Sequence, residues 1–137
     1  ELHTMTDEPA PRPLVEGIFT PEGADGLTHL LTSRCACGAV AFPPRVRCAA
    51  CSGTELTVTE APNEGAIYSW TTGPGETPRV VAQVVFEGGL MAQGYVTAPP
   101  ADVRIGQRVR TEAVPAGWAD DGTPVLSYAF APVEGGA

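Results

Sequence analysis

Cys35, Cys37, Cys48 and Cys51 are the residues of this chain whose type and spacing could do chemistry. Cys48-Ala49-Ala50-Cys51 has the two-residue spacing that lets both thiolates reach one ion. Zinc takes four such ligands in a tetrahedron, with Zn–S near ~2.3 Å. Thiolates are soft donors, so zinc or iron suits them better than magnesium or calcium. With all four positions filled by sulfur, no site is left for water. Such an ion is structural, and its binding energy contributes to folding. Cys35-Ala36-Cys37 is irregular, with one residue between the sulfurs. A regular knuckle has two or more and uses its turn to aim backbone N–H groups at sulfur. On the residues alone several readings stay open. These are structural zinc on all four cysteines, four buried cysteines without metal, and a disulfide (Cys48–Cys51 or across the pairs). His29 in place of Cys35, and a rubredoxin-like iron site, complete the set.

Catalysis by this chain alone finds little support. A nucleophile needs a base beside it, and the histidines are His3 and His29. No Cys–His or Ser–His arrangement is credible, and no catalytic residue is assigned. Asp120 and Asp121 fall in a Gly-Pro turn and read as solvated. Tyr68, Tyr95 and Tyr128 fall on strand positions, where aromatic rings supply buried area. Trp118 lies beside a glycine and is a candidate interface anchor, since tryptophan is enriched at binding hot spots. Phe42-Pro43-Pro44 is stiff and extended, because proline fixes φ and restricts the residue before it. It can present a surface to a partner, or Phe42 can cover the metal site and the end of the next domain.

The chain has 137 residues, 43% of them apolar, which suffices for a packed core. Its net charge is −8, and its eight basic residues are all arginines. A nucleic-acid or anionic-membrane partner would need a positive stripe that this composition lacks. Arg79, Arg104, Arg108 and Arg110 could form only a small basic patch. Arg104, Arg108 and Arg110 are candidates for phosphate contacts, against the simpler reading of solvated side chains. No apolar run is long enough to span a bilayer. No basic-then-apolar leader opens the chain, and Met5 reads as a candidate start. The cysteines are then expected in a reducing, cytoplasmic setting, which favours metal over disulfide.

The elements that must position these residues read as β structure. Gly 16 and Pro 14 suit a turn-rich chain. Residues 1–27 form an N-terminal arm, extended or with a short helix, and a helix or turn is open over 18–31. Residues 28–56 form the cysteine module and 57–137 a barrel. Strands are expected at 67–72, 79–86, 90–96, 108–114 and 125–131, from alternation and Val-rich runs bounded by Gly and Pro. Glu87-Gly88-Gly89 suits a hairpin turn. Gly94 suggests a bulge or bend, and the turn 99–106 should bury Val103 and Ile105. Five strands over this length match an OB-fold barrel.

The stretch Cys37-Gly38-Ala39-Val40-Ala41-Phe42-Pro43-Pro44-Arg45-Val46-Arg47-Cys48-Ala49-Ala50-Cys51 resembles the rubredoxin-like zinc ribbon of the acyl-CoA-associated OB-fold family (domain of unknown function thirty-five). Gly65 to Thr71, Thr77 to Val84 and Asp102 to Val109 are similar to its barrel, and the resemblance covers roughly residues 18–133. It implies a zinc ribbon followed by an OB barrel, with structural Zn2+ on the four cysteines. It also implies a thiolase-like partner subunit that carries the catalytic groups, in a complex whose substrate is a CoA ester. The reaction would be a retro-aldol C–C cleavage (a lyase) in steroid side-chain degradation, with accessory service to an acyl-CoA thiolase as the alternative. A nucleic-acid-binding OB module is the runner-up from another class.

Overall fold

The computed structural model describes residues 11–76 and 78–133. His3 and the first ten residues of the expected arm, Thr77, and residues 134–137 lie outside the described residues. The chain is mainly β, a cysteine-bearing ribbon followed by a closed five-stranded OB-fold barrel. Its strands are β1 (Arg12–Pro13), β2 (Phe19–Thr20), β3 (His29–Cys35), β4 (Val40–Ala41), β5 (Leu56–Glu60), β6 (Glu64–Thr72), β7 (Val80–Val85), β8 (Met91–Val96), β9 (Arg108–Trp118) and β10 (Pro124–Pro132). The helical structure among the described residues is one 3-10 turn at Pro100–Asp102. No helix there is long and apolar enough to cross a membrane.

Strands β6, β7 and β8 form an antiparallel meander, and β9 and β10 form a long hairpin. Antiparallel β6–β9 pairing closes one side, with Gly65 opposite Val109. Parallel β8–β10 pairing closes the other, with Val96 opposite Phe130. The alternation read in the sequence is the alternation of the wall. Val80, Ala82 and Val84 face the core, and Val109 and Thr111 do the same on β9. Where it is described, the arm carries two two-residue strands joined by bends and turns, and β1 adds to β10 in parallel.

The helix open over residues 18–31 does not form. Phe19 and Thr20 pair with Leu30 and His29 instead. The connecting loop contains the turn that forces the reversal: Gly23 N–H donates to the Leu27 carbonyl, and Asp25 Oδ1 accepts from Leu27 N–H. This is the local side-chain competition that makes Asp a turn residue. Gly94 is not a bulge either, since β7 and β8 stay in register across it, with Ala82 opposite Gly94. The register shift of the meander lies in β6 between Ile67 and Ser69, which turns Tyr68 outward. In the turn before β9, Val103 is buried but Ile105 is 69% exposed, contrary to expectation. The backbone bonds between Ile67 and both Gly106 and Gln107 hold the loop flat across the strand end.

Ribbon and barrel share one core. Phe19, Leu30 and Ala61 lie in the same buried cluster as Ile67, Val84 and Phe130. Tyr128 stands at the junction, with its ring centroid 6.0 Å from Phe19, 5.8 Å from Phe42 and 5.8 Å from Phe130. Gly94 makes room for it. A Cβ there would lie 2.8 Å from Tyr128 Cε2 and 2.9 Å from Phe130 Cε2. Asn63 bridges the two parts by donating to the carbonyls of Thr28 (2.8 Å) and Thr111 (3.0 Å).

Replacing Gly94 by Ala should therefore destabilise the protein by roughly 1–3 kcal/mol, the usual cost of overpacking. Gly73→Ala, with no atom closer than 3.9 Å to the added carbon, should be near neutral. Urea denaturation of both variants tests this. Equal midpoints would show that the ring moves aside freely.

Candidate metal centre

Two short loops bring the four sulfurs together. β3 ends at Cys35, and the Cys35–Gly38 turn then reverses the chain, with Gly38 N–H donating to the Cys35 carbonyl (2.8 Å). Gly38 sits at φ 99°, a conformation that favours glycine. The second loop runs from Cys48 to Gly53, closed by Cys48 N–H to the Gly53 carbonyl (2.9 Å) and Ser52 N–H to the Cys48 carbonyl (2.8 Å). Ser52 there takes φ 64°.

Cys35 Sγ lies 3.5 Å from Cys51 Sγ, and Cys37 Sγ lies 3.7 Å from Cys48 Sγ. All four sulfurs fall within 4.8 Å of one another. A tetrahedron with ~2.3 Å arms has edges of about 3.8 Å, so the cluster fits one thiophilic ion. The sulfurs are free of disulfide bonds. Cys35 and Cys48 are buried, and Cys37 and Cys51 lie at the surface.

Backbone N–H groups point at the sulfurs, as anionic ligands require. Ala50 N–H donates to Cys48 Sγ and Gly53 N–H to Cys51 Sγ, both at 3.3 Å. The one-residue first knuckle is not deprived of this support, because the N–H of Cys37 serves Cys35. The N–H groups of Cys51 and Ala50 bring the Cys48 thiol down to about 7. Cys35 behaves oppositely: the Cys37 N–H favours its thiolate, yet burial and the three neighbouring thiols push it up to about 12. Four thiolates cannot share this space without a cation among them. A divalent ion held by Cys35, Cys37, Cys48 and Cys51 would supply that charge and cross-link the two loops. Gly53, which sequence reasoning did not single out, belongs to the site. A Cβ there would sit 3.2 Å from Cys51 Sγ. The signal was present as a glycine two residues after the second knuckle.

His29 opens β3 rather than lying in a turn, and it is committed elsewhere. Its Nδ1 contacts the Ala61 carbonyl at 2.7 Å, and its Nε2 contacts Asp25 at 2.8 Å. Both partners are acceptors, so the geometry favours the doubly protonated ring. Burial opposes that charge, but the Ala61 carbonyl, then Asp25, together with Glu60, hold the His29 pKa above its usual value. Asp25 is held below its usual value, first by Leu27 N–H and then by His29.

Phe42 is half-buried against Tyr128, while Pro43 is exposed beside it. Trp118 ends β9 opposite Pro124, 74% exposed. Asp121 caps its turn through Thr123 N–H and lies 3.6 Å from Arg12. Arg108 and Arg110 pair with Glu64 (3.0 Å) and Glu112 (2.9 Å), which weakens them as phosphate ligands. Arg79 lies 3.8 Å over the Tyr95 ring. Beside it runs a shallow, uncharged groove, a depression of about 280 Å³ lined by Val81, Gln93, Tyr95, Ser127 and Tyr128.

The family model described as ChsH2, C-terminal OB-fold domain, matches residues 58–114. Among solved structures the chain is similar to an "Ltp2-ChsH2(DUF35) aldolase" at 26% identity and a TM-score of 0.58, over 76% of this chain and 84% of that one. A DUF35-family protein of unknown function from Sulfolobus solfataricus is also similar, at 19% identity and a TM-score of 0.45, over 72% and 75% of the two chains. No curated protein matches.

Protein purified under reducing conditions should carry one thiophilic ion per chain by elemental analysis. Cys48→Ser should lose it and melt at lower temperature. A stably folded, metal-free wild type would overturn this assignment. The His29–Asp25 pair has its own signature. His29, with a raised pKa, contributes stability that is complete below its unfolded value of about 6.5 and is lost as pH rises through the folded value. Asp25, with a lowered pKa, contributes above about 3.8 and loses its share as pH falls through its folded value. The melting-temperature gap between wild type and Asp25→Asn should thus be widest between about pH 4 and 6.5 and shrink towards pH 9. A gap independent of pH would contradict the charged pair.

Proposed function

We propose that this chain belongs to the DUF35 OB-fold family and is a non-catalytic subunit that binds and stabilises a thiolase-like enzyme acting on CoA esters. The observation that carries the reading is the likeness to the Ltp2-ChsH2(DUF35) aldolase, which spans most of both chains. Two features of the chain support it. The described histidine bonds the Ala61 carbonyl and Asp25, so it is not paired with a serine or cysteine as their base. The four cysteine sulfurs lie within 4.8 Å of one another, and the described histidine is bonded elsewhere rather than to any of them.

In this reading the arm (1–27), ribbon (28–56) and barrel (57–137) form one docking body, and structural zinc holds the ribbon in shape. Phe42, Pro43, Pro44 and Trp118 are the candidate partner contacts. The catalytic groups belong to the partner. The reaction of the complex is retro-aldol cleavage of a C–C bond in a CoA-activated side chain, of the kind found in steroid degradation. The setting is a reducing, cytoplasmic one, in which thiols stay free of disulfides.

Co-expression with a thiolase-like protein tests the reading. The two should co-purify, and acyl-CoA cleavage should require both. Release of an aldehyde or ketone without added CoA would indicate the aldol route, and a strict need for free CoA would indicate thiolysis. Cleavage by this chain alone would sink the proposal.

A further inference from the structure

The ribbon presents a surface that neither the metal centre nor the barrel uses. Residues 28–56 contain three arginines, Arg34, Arg45 and Arg47, against one acid, Glu55, in a chain of net charge −8. Between two of these arginines stands Val46, 89% exposed. A lone exposed aliphatic residue is ordinary. This one differs in how firmly its backbone is held. Arg45 N–H donates to Ser33 Oγ on β3 at 3.0 Å. The Arg47 guanidinium donates to the Ser52 carbonyl in the second knuckle at 2.9 Å. Pro43 and Pro44 stiffen the approach, and Cys48, anchored in the cluster, follows directly. An apolar side chain on a braced loop loses little freedom when it is bound.

We propose that the Arg45-Val46-Arg47 tip is the docking element of the ribbon, and that it inserts into an apolar pocket rimmed by carboxylates on the partner subunit. The inference rests on the subunit reading above and adds the surface and its chemistry. Charge complementarity selects the occupant. The arm and barrel carry a large excess of acid, and Arg108 and Arg110 there are already paired. An acidic patch on a partner is therefore repelled by most of this chain and attracted at the tip, which orients the encounter. Val46 then supplies the desolvated anchor inside a charged rim, the arrangement of an interface hot spot. An extended polyanion fits poorly, since it would have to lie along the acidic barrel as well.

Binding of the intact chain to the thiolase-like subunit, measured by surface plasmon resonance at rising salt, decides the matter. Arg45→Glu and the double variant Arg45→Glu/Arg47→Glu should weaken the complex by about tenfold or more, chiefly through slower association, and should flatten its salt dependence. Val46→Asp should speed dissociation by about tenfold or more. Among the described residues the Arg45 side chain makes no hydrogen bond or ion pair, so its variant keeps the test valid if the Arg47 change loosens the knuckle. Ile105→Asp, at another exposed aliphatic site, on the barrel, should bind as wild type. Tip variants that bind like wild type would overturn the docking element and leave the subunit reading standing. No complex with the wild type would sink both. Equal weakening by Ile105→Asp, or single-stranded DNA bound through the tip, would also overturn the proposal.

Discussion

The Tyr128 ring lies where a side chain at position 94 would have to be, and the relation of ribbon to barrel depends on that contact. Phe42 meets it edge-on from the ribbon, Phe19 from the β2–β3 hairpin and Phe130 from inside the barrel. The same ring is thus shared by three parts of the chain. Aromatic pairs at such separations and tilts add to the area they bury. The hydroxyl is also satisfied, donating to the Gln93 carbonyl. Remove the vacancy at Gly94 and the ring must leave, with Phe42 and the loop behind it.

Where that loop leads gives the contact its reach. Phe42 is followed by two prolines, the Arg45-Val46-Arg47 tip and then the second knuckle. The cysteine cluster lies at the far end of the segment and Tyr128 at the near end. Neither constraint would suffice alone. A cluster tethered only through β3 would leave the tip free to swing, and a packed Phe42 without the cluster would leave residues 48–53 without a core. Thiolate charge completes the argument. Four sulfurs within 4.8 Å could hold one thiophilic cation, and N–H groups at 3.3 Å from Cys48 and Cys51 Sγ favour their thiolates.

Charge is distributed unevenly over this architecture, and the unevenness matters more than the total. On the barrel, Arg108 and Arg110 are answered by neighbouring carboxylates, and Arg79 rests on Tyr95. In the ribbon the arginines have no carboxylate within pairing distance among the described residues, and Arg47 spends its bond on a backbone carbonyl. Exposed pairs of the barrel type add little to stability, but they cancel local fields. The unanswered ribbon charges remain available for recognition, on an otherwise acidic body suited to a protein partner.

The barrel strands were legible because a half-buried strand writes its two faces into alternate residues, as in Val80, Ala82 and Val84. The cluster was legible because ligands close in sequence need only short loops to meet. Sequence alone therefore determined the five barrel strands and the grouping of the four sulfurs. Other features required the fold. Whether Phe19 would enter a helix or a strand depended on a hairpin partner eleven residues away, and His29 read as a ligand candidate until Asp25 and Ala61 came beside it. Gly94 looked like a bend because a missing side chain has no local meaning until the ring that fills its place is known. Ile105 looked buried because apolar character reports a preference, while exposure is decided by which surface is left uncovered. Those were tertiary decisions for one physical reason: each depends on a contact between residues whose separation along the chain no local pattern encodes.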